Sequence, residues 1–384
     1  MRWIFWGAAF LVAYTYAGYA GWLWLRARLF PWPVLRAPLE PYISIVMVVR
    51  NEERWLESKL QNLLELDYPQ DRYRIVVVSD GSTDRTDAIL RGHANDPRVQ
   101  VLMNQLSRGK ASGLNDAISL SGGEVVVCTD ARQTIEPKAL RMLMENFADP
   151  NVGCVSGALM LGNPQSGEAA KGMGLYWRVE KKIRELESEA GSVVGATGAL
   201  YAVRRNLLTA LPDGTILDDV YIPMHVVREG KRVVFDPRAR AWDSPDLGAG
   251  REFARKVRTL SGNYQLVQFA PWLVSGENPI RFEFVSHKLL RLSIPFALVA
   301  LLVSSTILPG AVYRSALALQ VLFYGLSLLA GLRLGRGTLA RVSEAALTFV
   351  VLNSAAAVAF VNFMTGRKAD WGSLEARYAK AAKI

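Results

Sequence analysis

The run WIFWGAAFLVAYTYAGYAGWLWL, Trp3 to Leu25, carries no charge over 23 residues. A helix of about 20 apolar residues crosses a bilayer core. A cleavable signal peptide has a shorter apolar core, about 7–15 residues. The length and the Trp and Tyr content of this run fit a membrane anchor. Three more apolar runs follow: Leu289 to Leu308, with Arg291 near its start and Pro295 within it, Ala316 to Leu332, and Ala345 to Met364. Residues 40 to 285 contain no comparable span. The chain thus divides into an anchor (1–39), a water-facing domain (40–247), an amphipathic stretch (248–286), three spans (287–366) and a basic tail (367–384).

Charge suggests the orientation. Arg26, Arg28 and Arg36 follow the first run, against Arg2 before it. The positive-inside rule then puts the N-terminus outside and the middle domain in the cytoplasm, as expected for a multi-pass protein of the plasma (inner) membrane. Arg333, Arg336 and Arg341 fit a cytoplasmic loop between the last two runs. Counting spans places the C-terminus outside, whereas Arg367, Lys368, Arg377, Lys380 and Lys383 argue for the inside. The net charge of +10 lies largely beside apolar runs, so membrane lipid is the expected partner and nucleic acid is not. Cys128 and Cys154, the only cysteines, sit in apolar runs as buried free thiols, with no disulfide or zinc spacing. His93, His225 and His287 are too scattered for a His-based metal site or a Ser-His triad.

Within the middle domain, ISIVMVV (43–49), RIVVVSD (74–80), VQVLM (99–103) and EVVVCTD (124–130) read as strands buried on both faces. Glu52 to Leu66, Asp84 to Gly92 and Lys110 to Ser121 have helical periodicity. This alternation predicts an α/β fold, Rossmann-like, with a mostly parallel sheet. Ligands of such sheets bind outside the carboxyl ends of the strands, which selects Asn51 and Glu52, Asp80, and Asp130.

Each of these has a structural alternative. In SDGSTDRT, Ser79 to Thr86, Gly81 permits a tight turn, and Asp80 and Asp84 serve equally as caps. Arg108 and Lys110 open a helix whose start attracts phosphate, though the loop is not a P-loop and also reads as a solvated basic turn. Asp218 and Asp219 head an amphipathic helix with Ile222, Val226 and Val227 on its buried face. They are helix caps or, alternatively, a base for a hydroxyl proton. Arg251 to Val274 mixes cations with aromatics, as in helices lying on a membrane. Arg255, Lys256 and Arg258 face either lipid or a diphosphate. RVEKKIRELESE (178–189), with Lys181 spaced to meet Glu185, reads as a solvated helix.

In order, VVRNEE, VSDGSTDRT, RGKASGLNDA, CTDARQ, GATGALYAVRR and LDDVYIP resemble the glycosyltransferase family 2 domain of membrane-embedded polysaccharide synthases. Cellulose, hyaluronan, chitin-oligosaccharide and poly-N-acetylglucosamine synthases are of this kind. The resemblance implies a glycosyltransferase A-type fold and inverting transfer from a nucleoside-diphosphate sugar, with a UDP-sugar expected, to a glycan acceptor. A lipid carrier or lipid-linked glycan is the alternative acceptor, and a non-catalytic export subunit the alternative role. Asn51, Glu52 and Asp80 match nucleotide-binding positions, and Lys110 a lysine near the nucleotide. Asp130 matches the first acid of a DxD motif that binds Mg2+ or Mn2+, Asp219 the catalytic base with Asp218 beside it, and Gly195, Thr197 and Gly198 the acceptor-lining segment. Two positions depart. Arg132 replaces the second DxD acid, which weakens the expected metal dependence; it either contacts the diphosphate or turns to a neighbouring carboxylate. Of the QxxRW signature only Arg258 keeps its place, which leaves processive addition open. Four spans make a narrow conduit at best, so an oligomer or partner subunits are also expected.

Overall fold

The computed structural model describes residues 1–162, 175–243, 249–332, 334 and 337–367. The four expected strands form as Ile43–Val49 (β1), Tyr73–Asp80 (β2), Val99–Asn104 (β3) and Val125–Thr129 (β4). Thr134–Ile135 (β5), Val152–Leu161 (β6), Leu200–Arg204 (β7) and Arg232–Asp243 (β8) complete one sheet in the order β3-β2-β1-β4-β7-β6-β8-β5. The first four are parallel, as the alternation with helices predicts. The other half is mixed: β7 runs antiparallel to both β4 and β6, and β6 pairs parallel with β8. Periodicity did not reveal β5 to β8. Small residues and glycines interrupt their apolar runs, and β8 carries Asp236, Pro237 and three arginines.

Side chains alternate across β1. Ile43, Ile45 and Met47 join one buried cluster with Leu56, Leu60 and Leu63. Val46 and Val48 join the other, with Leu114, Ala117, Ile222, Val226 and Val227. The expected buried face of the helix Asp218–Arg228 is therefore the one that packs. Cys128 and Cys154 are buried and free.

Among the described residues, three helices are long and apolar enough to cross a membrane: Arg281–Ile307, Ala311–Gly331 and Gly337–Met364. They contain the three C-terminal runs to within a residue. The N-terminal run is helical from Arg2 to Leu29 with a π-turn at Tyr14–Gly18, but it is not one of the three. Its Trp and Tyr residues make it less apolar than the others. It lies along them, with Phe5 edge-on to Tyr313 at 4.8 Å and Tyr14 hydrogen-bonded to Ser286. The amphipathic stretch forms the helix Ala249–Phe269, and Tyr264 stacks on Phe363 at 4.9 Å. Arg333, Arg336 and the tail from Lys368 onward lie outside the described residues.

The helix Leu175–Ala190 corrects the sequence reading. Lys182, not Lys181, pairs with Glu185. The face expected in solvent is partly a buried polar one. Glu187 accepts bonds from the Tyr19 hydroxyl (2.6 Å) and the Val194 N–H, and lies 2.7 Å from His287 Nδ1. Glu180 meets His287, Arg184 and Arg291.

Candidate active site

The site begins at the carboxyl ends of β1, β2 and β4. Asp80 is fully buried at the end of β2. Its carboxylate accepts from Ser107 Oγ (2.7 Å), Arg108 N (2.8 Å) and Gly109 N (2.9 Å). It therefore shapes the loop that delivers Lys110. Gly81 follows with φ +64°, and a Cβ there would come within 2.5 Å of Ser107 N. The turn thus needs glycine both for its dihedral and for the approach of the loop. Asn51 has φ +55°, the only non-glycine residue with positive φ among the described residues. Its side chain accepts from Thr83 N, tying the β1 tip to the β2 tip. Glu52 N donates to Thr86 Oγ1, and Asp84 accepts from Thr86 N, the first residue of the next helix.

Four charged side chains from three segments converge beside these tips. Lys110 opens the helix Lys110–Leu120, and its Nζ lies 3.0 Å from Asp130 Oδ1 and 3.2 Å from Asp218 Oδ1. Burial works to lower the Lys110 pKa, but Asp130 and Asp218 prevail and hold it raised. Asp218 is buried, and Asp219 is half-buried, in the first turn of Asp218–Arg228. Burial first, and then the like charge of Asp218, push Asp219 up to about 6, against the pull of Lys110, Lys288 and Arg184.

The segment expected at the acceptor wraps Asp219. Ala196 N donates to its carbonyl (2.6 Å) and Gly198 N to its Oδ2 (3.2 Å). Thr197 accepts from Arg184 (2.8 Å). A Cβ on Gly198 would sit 3.3 Å from Asp219 Oδ2 and 3.7 Å from Asp130 Oδ2. Both oxygens thus face one small space that only a glycine leaves open. Gly195, at φ +85°, lets the chain turn against Val220.

For Arg132 the structure takes the second of the two alternatives the sequence left open. Arg132 forks onto Asp243 at the end of β8, with Nε at 3.0 Å and an Nη at 2.6 Å, so it occupies a carboxylate instead of standing free for a diphosphate. Arg255 pairs with Glu252 and lies 3.7 Å from Asp243. Arg258 has a buried Nε without a hydrogen-bond partner. It sits on the helix whose Gly262 touches Ile216 and Leu217, just ahead of Asp218.

Sequence reasoning missed Lys59. It is buried, and its ammonium donates to Thr129 Oγ1 (3.0 Å) and Gln133 O (2.7 Å), fixing the strand tip on both sides of Asp130. Burial lowers it to about 7, with Asp130 opposing. A signal existed: Lys59 falls on the same helical arc as Leu56, Leu60 and Leu63.

No group of three or more His, Cys, Asp or Glu side chains is placed to hold a metal among the described residues. Asp130 Oδ1 is engaged by Lys110, and Oδ2 takes no hydrogen bond from the described residues. The donor set therefore suits a divalent ion that brings its remaining ligands with a phosphate substrate, since magnesium commonly takes only one or two protein carboxylates.

Known proteins bear on this arrangement. The poly-beta-1,6-N-acetyl-D-glucosamine synthases of Staphylococcus epidermidis and Staphylococcus aureus are 25% identical over 234 and 235 residues. Each match covers 59% of this chain and 55% of the relative. The chain thus spans about half the length of these curated relatives. The fold is that of mannosyltransferase PcManGT from Pyrobaculum calidifontis, solved with GDP-Man and Mn2+, at TM-score 0.72 and 24% identity over 94% of this chain and 98% of that one. Residues 44–211 match the family model Glycosyl transferase family 2, and over 59% of its length the chain is similar to the poly-beta-1,6-N-acetyl-D-glucosamine synthases.

Proposed function

We propose that the protein is an inverting glycosyltransferase that moves a sugar from a nucleoside-diphosphate sugar to a glycan acceptor at the cytoplasmic face of the inner membrane, with the N-terminal helix as a further anchor. The observation that carries this reading is the space over Gly198, faced by one carboxylate suited to base work and by a second held against a cation. Asp219 takes the proton of the attacking hydroxyl. The hydroxyl oxygen bonds to the anomeric carbon as the bond to the diphosphate breaks on the opposite side. Lys110 and Arg258 neutralise the leaving diphosphate. Asp130, through its open oxygen, would hold Mg2+ or Mn2+, which would supply further charge neutralisation. Asp80 and Asn51 act by fixing the loops around the nucleotide, and Arg132 by joining the β4 tip to β8.

UDP-sugars lead the donor panel, and GDP-mannose belongs in it because the mannosyltransferase of like fold holds GDP-Man. The test is nucleoside diphosphate release by the purified chain in nanodiscs with native lipid extract, each donor with magnesium, manganese or chelator. Release from one donor, abolished in Asp219→Asn, is the expected result. No release from any donor overturns the transferase reading in favour of an export or scaffold subunit.

A further inference from the structure

Glu180, Arg184 and Glu187 are spaced by one helical turn each along Leu175–Ala190, so they share a face. That face meets two different parts of the molecule. One is the head of the first candidate span, Arg281–Ile307. His287 of that span is buried, with Nδ1 2.7 Å from Glu187 Oε1 and Nε2 3.0 Å from Glu180 Oε1. Arg291 of the same span donates to Glu180 Oε2 at 2.7 Å. The other part is the segment that wraps Asp219. Glu187 Oε2 accepts from Val194 N (3.2 Å), and Arg184 Nη1 donates to Thr197 Oγ1 (2.8 Å). Ala196 N and Gly198 N, within and beside these two anchor points, hold the Asp219 carbonyl and carboxylate.

The segment needs such anchors. It has no helix or strand between Gly191 and Ala199 and carries glycine at 195 and 198, so its own backbone preference does not fix it. Ser156 Oγ accepts from Thr197 N (3.0 Å), which ties the segment to the sheet. Arg184 ties it to the membrane helices. Its side chain is only 15% exposed and touches both Thr197 and, at 3.5 Å, Glu180. Separating buried charges out of reach of water is costly, so Glu180 follows the span that holds it. We infer that Arg184 is a positioning residue for Asp219. It carries the seating of the first span, through Glu180, to Thr197 and so to the peptide groups that orient the carboxylate. This rests on the transferase reading for what Asp219 does; the positioning itself is measurable without turnover.

The test uses the full chain in nanodiscs and reads amide hydrogen exchange by mass spectrometry. Three variants are compared with the parent: Arg184→Met, Thr197→Val, which keeps the shape and removes the acceptor oxygen, and Arg291→Gln, which loosens Glu180 from the span. Exchange in residues 193–198 should quicken about tenfold or more in Arg184→Met and in Thr197→Val, the range of a hydrogen bond to a charged group. It should quicken in Arg291→Gln also, although Arg291 makes no printed bond to that segment. Exchange in β1 to β4 should stay as in the parent, which shows that the fold is intact. With a donor that turns over, kcat should fall about tenfold in Arg184→Met while UDP and GDP affinities are kept. Combining Arg184→Met with Thr197→Val should cost no more than the worse single change, because both remove one bond. Unchanged exchange in Arg184→Met or Arg291→Gln, additive losses in the double variant, or a fall in UDP or GDP affinity matching the fall in kcat overturns the proposal. A parent that turns over no donor but shows the expected exchange pattern keeps the positioning and loses the transferase reading.

Discussion

Asp219 is placed so that its protonation gates the proposed reaction. Burial and Asp218 lift its carboxyl to about 6, which leaves it mostly ionised at neutral pH and more basic than a free aspartate. The active form is the ionised one, so kcat/KM should rise with pH through about 6 and level off above it. Below that point it should fall by roughly tenfold per unit, as for any single protonation. Initial rates across the acid range check this, and a flat profile would remove the base assignment. Asp219→Asn should lower kcat by about 10²–10⁴, the usual share of general base catalysis, with nucleoside diphosphate affinity retained. Gly198→Ala acts on the same space. The added methyl lies 3.3 Å from Asp219 Oδ2, so transfer should drop at least about tenfold, the effect of slight misplacement at a reacting centre. Its melting temperature should stay near that of the parent, because no positive φ is involved.

At the scale of elements, Arg132 and Asp243 close the sheet around the site. The fork runs from the loop after β4 to the last residue of β8, and Gln133 Nε2 joins the same carboxylate at 3.3 Å. Asp243 is buried, so Arg132→Ala leaves a carboxylate without its main partner. The expected loss is about 3–5 kcal/mol of unfolding free energy, typical of a broken buried pair, measured by chemical denaturation. Adding Asp243→Asn should recover part of it. A variant that keeps its stability and loses donor affinity would instead place Arg132 on the diphosphate. Restoring an acid at position 132 would set it against Asp243, which explains in physical terms why a second DxD acid does not fit this sheet.

Over the whole molecule, the sheet domain and the apolar helices are joined by buried polar contacts as well as by packing. Tyr19, Leu23 and Ala27 of the N-terminal helix pack on Ile183, Leu186 and Ala190. Arg26 pairs with Glu283, and the Tyr19 hydroxyl donates to Glu187, which also meets His287. Tyr19→Phe removes one donor from a buried carboxylate and should cost about 1.5–3 kcal/mol, the range for hydrogen bonds to charged groups. The readout is the melting temperature in detergent. An unshifted value would mean that the junction is held by apolar packing alone.

Apolar pattern by itself determined β1 to β4, the helices between them, the C-terminal spans and the edge on which Asp80 and Asp130 lie. Runs buried on both faces and uncharged helices are imposed by local composition, and the carboxyl ends of parallel strands follow from their order. The mixed half of the sheet was not legible, because β5 to β8 are paired across long separations and contain glycine, proline and charge. Nor was the buried role of Lys59, Glu180 or Glu187. A charged side chain in a sequence reads as solvated, and whether it meets water or a partner depends on what the chain folds against it. Only the tertiary structure brought Arg132 to Asp243, across 111 positions. The sequence therefore located the carboxylates, and the fold decided which of the cations are paired with them.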